Sequence, residues 1–135
     1  MVSLGHVRMT REQWEELIAH AREDAPNECC GYLKLRDGAV EEVFRAVNER
    51  HSPYGYELGF DALRAANDLD DEGYGVGIYH SHPRSAPEPS QTDINLAAYP
   101  GWLQFIVSLE NEKPLIRAWR IEDGNVSEEE LLIND

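Results

Sequence analysis

Two histidines, His80 and His82, stand two residues apart at the end of a short apolar run, GVGIYHSH (75–82). On a strand such a pair projects to one face, so both imidazoles can reach a single metal ion. Asp93 falls in a short helical pattern beyond a proline-bearing loop, from which a carboxylate oxygen could return to the same ion. Two imidazoles and one carboxylate leave a fourth position open. That separates a catalytic zinc site from a closed structural one, because water can bind there with its pKa lowered toward about 7.

Each residue also has an ordinary reading. The histidines can be incidental, hydrogen-bonded or exposed, and Asp93 can serve the helix dipole from the first turn. Ser90 can be an N-cap worth about 1 kcal/mol or a hydroxyl donor to a developing oxyanion, the two together requiring a shared or reoriented hydroxyl. Glu28 can be a general base or one surface carboxylate among 26 acidic residues. Cys29 and Cys30 are adjacent, which strains a mutual disulfide. As a nucleophile either would need a paired histidine such as His20 or His51.

The elements that must position these groups can be read from periodicity. Thr10 and Gln13 form a capping box ahead of Trp14, Leu17, Ile18 and Ala21 at helical spacing, predicting a helix over 10–24. GYLKLR (31–36), the Asp37-Gly38 turn and AVEEVFRAV (39–47) read as a hairpin, so Glu28 sits at a helix-to-strand entry; its strand could run beside the histidine strand, which spacing alone leaves as conjecture. Turn formers fill 48–59, and Phe60, Leu63, Ala66 and Asn67 open a second helix running to about Leu69, with a solvated acidic end. Ser90 precedes a helix containing Asp93, Ile94, Leu96 and Ala97. Beyond Pro100-Gly101, the segments 102–109, 114–121 and 125–133 read as strands, the last two joined by Asp123-Gly124. The tyrosines of the 48–59 loop, Tyr54 and Tyr56, are expected to pack that loop onto the core, the alternative being that they form part of a binding surface.

Composition bounds the class. A chain of 135 residues without repeat or linker suits one domain, 1–135, and 41% hydrophobic with 28% charged residues is ordinary for a soluble fold. A formal charge of −14 repels a phosphate backbone and argues against nucleic-acid binding. The start, MVSLGHVRMTREQW, lacks the apolar run of a signal peptide, and no stretch approaches a membrane span, so a cytoplasmic address is expected. The expected class is α/β, a mixed α+β sheet flanked by helices in layers.

These residues resemble the JAMM (MPN+) metalloprotease family, whose motif is an upstream glutamate, then His-Ser/Thr-His-Pro, then Ser-x-x-Asp. Here it reads Glu28, HSHP (80–83) and SQTD (90–93), and the flanking NECCGYL (27–33) and IYHSHP (78–83) are similar to the family's glutamate segment and metal-binding strand. The resemblance implies an MPN domain of cytidine-deaminase-like layered architecture. It implies that His80, His82 and Asp93 bind one zinc ion, that Glu28 moves the water proton to the leaving amine, and that Ser90 supports the oxyanion. Cys30 then fills a small buried place.

Family members cut after the C-terminal Gly-Gly of ubiquitin-like proteins. A chain this close to the minimal core, lacking spare ligands for a second structural zinc, is similar to small prokaryotic members acting on sulfur-carrier proteins. The expected activity is that of a zinc metallopeptidase or isopeptidase, desampylase- or carrier-cysteine-peptidase-like, with the carrier's tail lying as an added strand. The partner is such a carrier or its conjugate, with neither nucleic acid nor membrane, and a homodimer is left open. The rival readings are a non-catalytic zinc-containing MPN scaffold that binds a ubiquitin-like partner, and a metal-dependent hydrolase of a small amide.

Overall fold

The computed structural model describes residues 6–99 and 101–135. The first five residues of the start read above, and Pro100, lie outside the described residues, as does the side chain of Leu96, expected in the third helix. The element order is β1 (His6–Thr10), α1 (Arg11–Asp24), β2 (Cys30–Arg36), β3 (Ala39–Ala46), α2 (Phe60–Asp71), β4 (Gly75–His82), α3 (Gln91–Leu96), β5 (Leu103–Ser108), β6 (Leu115–Glu122) and β7 (Asn125–Asn134).

Local chemistry explains the boundaries. The Thr10 hydroxyl accepts from the Gln13 amide at 3.0 Å and the Gln13 side chain accepts from the Thr10 amide at 2.9 Å, closing the capping box that starts α1. Asp37 and Gly38 both take positive φ, 52° and 79°, as do Asp123 and Gly124, 51° and 78°. Two successive left-handed residues make the turn whose twist matches a two-residue hairpin, and these turns join β2 to β3 and β6 to β7.

The strands pair in the order β1-β3-β2-β4-β5-β6-β7, and the mixed sheet curls until β1 also pairs with β7. Strand β1 is the one element absent from the sequence reading. It runs parallel to both neighbours, with Val7 and Met9 turned into the core.

Alternation along β4 then sorts its side chains. Tyr79 joins the core under α1 with Leu17, Ile18, Leu33, Phe105 and Val107. Val76 and Ile78 join the second core under α2, with Tyr32, Ala66 and Trp102. The histidines, in phase with Val76 and Ile78, emerge on the α2 side. With both faces covered, β4 is buried from Val76 onward.

Strand β2 runs antiparallel to β4 with Cys30 opposite His80, which brings the Glu28 end beside the histidines, a placement that spacing alone left as conjecture. A Cβ at Gly31 would overlap the Tyr79 ring and the Phe44 carbonyl, so only glycine permits this approach. Among the described residues no helix is long and apolar enough to cross a membrane.

Candidate active site

His80 and His82 end β4 almost fully buried, at 1% and 5% exposure. Their Nε2 atoms lie 3.1 Å apart, and Asp93 Oδ2 lies 3.2 Å from the first and 3.1 Å from the second. Among the described residues this is the one group of three or more such side chains whose donor atoms converge. Three lone-pair atoms this close satisfy one another poorly with protons alone. Two ligands of a tetrahedral zinc bound at 2.0–2.1 Å stand about 3.3 Å apart, so the observed spacing fits such an ion.

The ligands are oriented from behind. His82 Nδ1 sits 2.8 Å from the Ala86 carbonyl; with its proton there, Nε2 presents a lone pair to the cluster. His80 stacks on Tyr56, ring centroids 4.5 Å apart at 20°, and its buried Nδ1 has no hydrogen-bond partner among the described residues. Burial drives His80 toward the neutral form, against the pull of Asp93. Burial would do the same to His82, but Asp93, the Ala86 carbonyl and Glu28 together hold its pKa above the ordinary value. Burial alone would raise Asp93, yet its bonds to both histidines hold it well below the usual carboxylate range.

Ser90 and Asp93 form a reciprocal cap on α3. The Ser90 hydroxyl accepts from the Asp93 amide at 3.1 Å, and the Ser90 amide donates to Asp93 Oδ2 at 2.9 Å. The first-turn position expected for Asp93 and convergence on the histidines therefore coincide. Because the capping hydroxyl acts as an acceptor, its proton remains available to another oxygen. The two roles weighed for Ser90 thus need neither sharing nor reorientation.

Glu28 is buried at 6% exposure and is not a surface carboxylate. Its amide donates to the Ser52 carbonyl at 2.9 Å and its own carbonyl accepts from Asn48 Nδ2 at 3.0 Å. Carboxylate oxygen Oε1 has no partner among the described residues. Desolvation raises this carboxyl to about 7, with His82 opposing and Asp93 reinforcing the shift. A group with that pKa can take and return a proton near neutrality.

Ser81, between the histidines and facing the opposite way, ties the two strand ends together. Its hydroxyl accepts from the Cys29 amide at 2.8 Å and its amide donates to the Cys29 carbonyl at 3.1 Å. The cysteines are fully buried free thiols, pushed up to about 12 chiefly by desolvation. The histidines a nucleophilic cysteine would need are elsewhere engaged or exposed: His20 meets Tyr79 at 2.7 Å and Asp24 at 3.4 Å, and His51 lies in an exposed turn.

Sequence reasoning missed Ser81 and Asn48, and it weighed Tyr56 but left it out of the site. Ser81 was visible inside HSHP, and its strand phase could have identified it as the tie. The shared expectation for the tyrosines fails at Tyr54, which is 84% exposed, while Tyr56 packs on a histidine. Beside Asp93 lies a cavity of about 270 Å³ whose walls include Tyr56, Leu58, Leu63, Ile78 and Trp102.

The chain matches the model for prokaryotic homologs of the JAB domain over residues 10–122. It is 37% identical over 120 residues to the CysO-cysteine peptidase of Mycobacterium tuberculosis, covering 84% of this chain and 81% of that one. It is 36% identical over 105 residues to the desampylase of Haloferax volcanii, covering 70% and 74%. The solution structure of a Desulfitobacterium hafniense protein superposes with a TM-score of 0.79 at 35% identity, over 96% of this chain and 93% of that one. A JAB1/MPN domain protein from Archaeoglobus fulgidus shares the fold, with a TM-score of 0.62 at 19% identity over 96% and 97%. A fold shared over 96% of the chain and a sequence match spanning both elements that carry the clustered residues have one conclusion: the chain belongs to the prokaryotic JAB-domain family.

Proposed function

We propose that residues 1–135 act as one zinc metallopeptidase domain, hydrolysing the bond after the C-terminal Gly-Gly of a ubiquitin-like or sulfur-carrier protein, in the cytoplasm. The observation that carries this reading is the convergence of His80, His82 and Asp93 beside a buried Glu28 whose Oε1 has no partner among the described residues and whose neighbour Cys29 is tied to the same strand end. The names of its relatives, a carrier-cysteine peptidase and a desampylase, supply the substrate class.

His80, His82 and Asp93 would hold the ion. When bound, zinc supplies Lewis acidity and makes water a competent nucleophile near neutral pH. Glu28 removes the water proton as oxygen adds to the scissile carbonyl carbon. It then returns a proton to the nitrogen as the carbon–nitrogen bond breaks. The Ser90 hydroxyl, free to donate, supports the oxyanion. Tyr56 covers His80 and limits access of bulk water.

The test is a mass-spectrometric cleavage assay on carriers ending in Gly-Gly-Cys or joined through Gly-Gly to a lysine side chain. Zinc-loaded wild type is expected to cut after Gly-Gly, and chelation to abolish it. A zinc-loaded protein that leaves both substrates intact would refute the peptidase reading and favour a scaffold.

A further inference from the structure

The loop that leaves β4 carries the carbonyl that faces His82, and between residues 83 and 89 it holds Pro83, Pro87 and Pro89. Proline has no amide hydrogen, so this segment is short of donors of its own and its carbonyls need partners from outside. Two come from the neighbouring strands. Ser108 stands opposite His82 in the parallel β4–β5 ladder, and its buried hydroxyl donates to the Ser85 carbonyl at 2.6 Å. Trp119 on β6 donates from its indole Nε1 to the Pro87 carbonyl at 2.9 Å. A third link, Arg117 to Glu88 at 3.5 Å, is open to solvent and contributes little.

The two donors straddle Ala86. The peptide groups of Ser85 and Pro87 are each held through their oxygens, and the Pro87 ring locks the φ between them. The peptide group in the middle then has little freedom left. Its oxygen takes the Glu88 amide at 2.8 Å and faces His82 Nδ1 at 2.8 Å. A carbonyl only accepts, so in the neutral ring Nδ1 must carry the proton and Nε2 must present its lone pair.

We infer that Ser108 and Trp119 are positioning residues for the metal centre: by holding the Ser85 and Pro87 carbonyls they keep the Ala86 carbonyl on His82, and so fix the tautomer and angle of one ligand. This rests on His82 being a ligand, as in the reading above, and extends that reading to two residues of β5 and β6 outside the ligand set. His80 serves as an internal control. Its Nδ1 has no partner among the described residues, and its ring is held by stacking on Tyr56 instead.

The experiment uses the full chain and reads two quantities. One is zinc affinity, by competition with a chromophoric chelator. The other is the nitrogen-15 signature of the His82 ring in metal-free protein in mildly alkaline buffer, which tells a protonated nitrogen from one bearing a lone pair. The Ser108→Ala/Trp119→Phe double variant is expected to bind zinc about tenfold more weakly, the low end of the range for losing an outer partner of a ligand, and to show His82 in mixed tautomers with His80 unchanged. Each single variant is expected to move both readouts the same way by a smaller amount, which keeps the test decisive if the double variant folds poorly. Val40→Ala thins the core at the end of the β2–β3 ladder opposite to Cys30; it is expected to lower the melting temperature and leave both readouts as in wild type. Unchanged zinc affinity or an unchanged His82 tautomer in the brace variants, or an equal weakening of zinc binding in Val40→Ala, would overturn this inference alone. Unchanged affinity in His82→Ala would overturn the ligand reading and this inference together.

Discussion

The converging ligands and the 48–59 loop lie against each other yet are built in opposite ways. At the ligands, His82 is braced by the Ala86 carbonyl, Asp93 by the Ser90 amide, and the Glu28 strand end by Ser81. In the loop, Asn48 alone makes four hydrogen bonds, binding the Glu28 and Gly55 carbonyls and the Arg50 and Glu57 amides. Around that pin Tyr54 is 84% exposed, and just outside the loop Val47 and Phe60 are 64% and 77% exposed, among exposed Glu49, Arg50, His51 and Glu57. Rigid elements hold the atoms that must not move, and a loop fastened at Asn48, Ser52 and Tyr56 leaves exposed surface between those points.

The sharpest way to break the contrast is to remove a ligand. His80→Ala or His82→Ala is expected to weaken zinc binding at least about 100-fold, since two protein ligands hold zinc poorly. Competitive titration against a chromophoric chelator measures it, and unchanged affinity in both variants would refute the ligand set.

A smaller effect concerns the strain of burying Glu28. Burial lifts its carboxyl in the folded state from the ordinary value of 4.5 to about 7, so the folded state binds more protons across that window. Stability must then fall as pH rises from about 4.5 to 7. Urea denaturation of metal-free protein should show wild type losing on the order of 2 kcal/mol across this range relative to Glu28→Gln. Parallel pH profiles would mean that Glu28 is solvated.

Ser81→Ala leaves the buried Cys29 amide without its partner, an expected loss of about 1–3 kcal/mol by the same denaturation assay. At the loop, Tyr54→Ala is expected to change stability by less than about 0.5 kcal/mol, because so exposed a ring packs on little. A large loss there would erase the distinction between the two regions.

What the sequence disclosed follows the same division. Local signals were readable: the capping box at Thr10, the two Asp-Gly turns, and the i, i+2 spacing that puts both histidines on one face. Long-range pairing was not. Strand β1 has only five residues, and no local pattern marks its parallel pairing with both β3 and β7. Glu28 lies far from the histidines in sequence, and its burial follows from the Cys30–His80 register and the Asn48 pin. Its role was suggested by family resemblance, since residue type alone made it one acid among many. Tyr56 and Tyr54 differ by two positions and have opposite environments, which composition cannot tell apart.

The most direct test of the central claim compares wild type with Glu28→Gln for zinc content and for cleavage after Gly-Gly in the same preparations. If Glu28 is the base and His80, His82 and Asp93 the ligands, the variant keeps wild-type zinc stoichiometry and loses at least about 100-fold in kcat. Near-normal turnover by a zinc-replete Glu28→Gln protein would contradict that assignment.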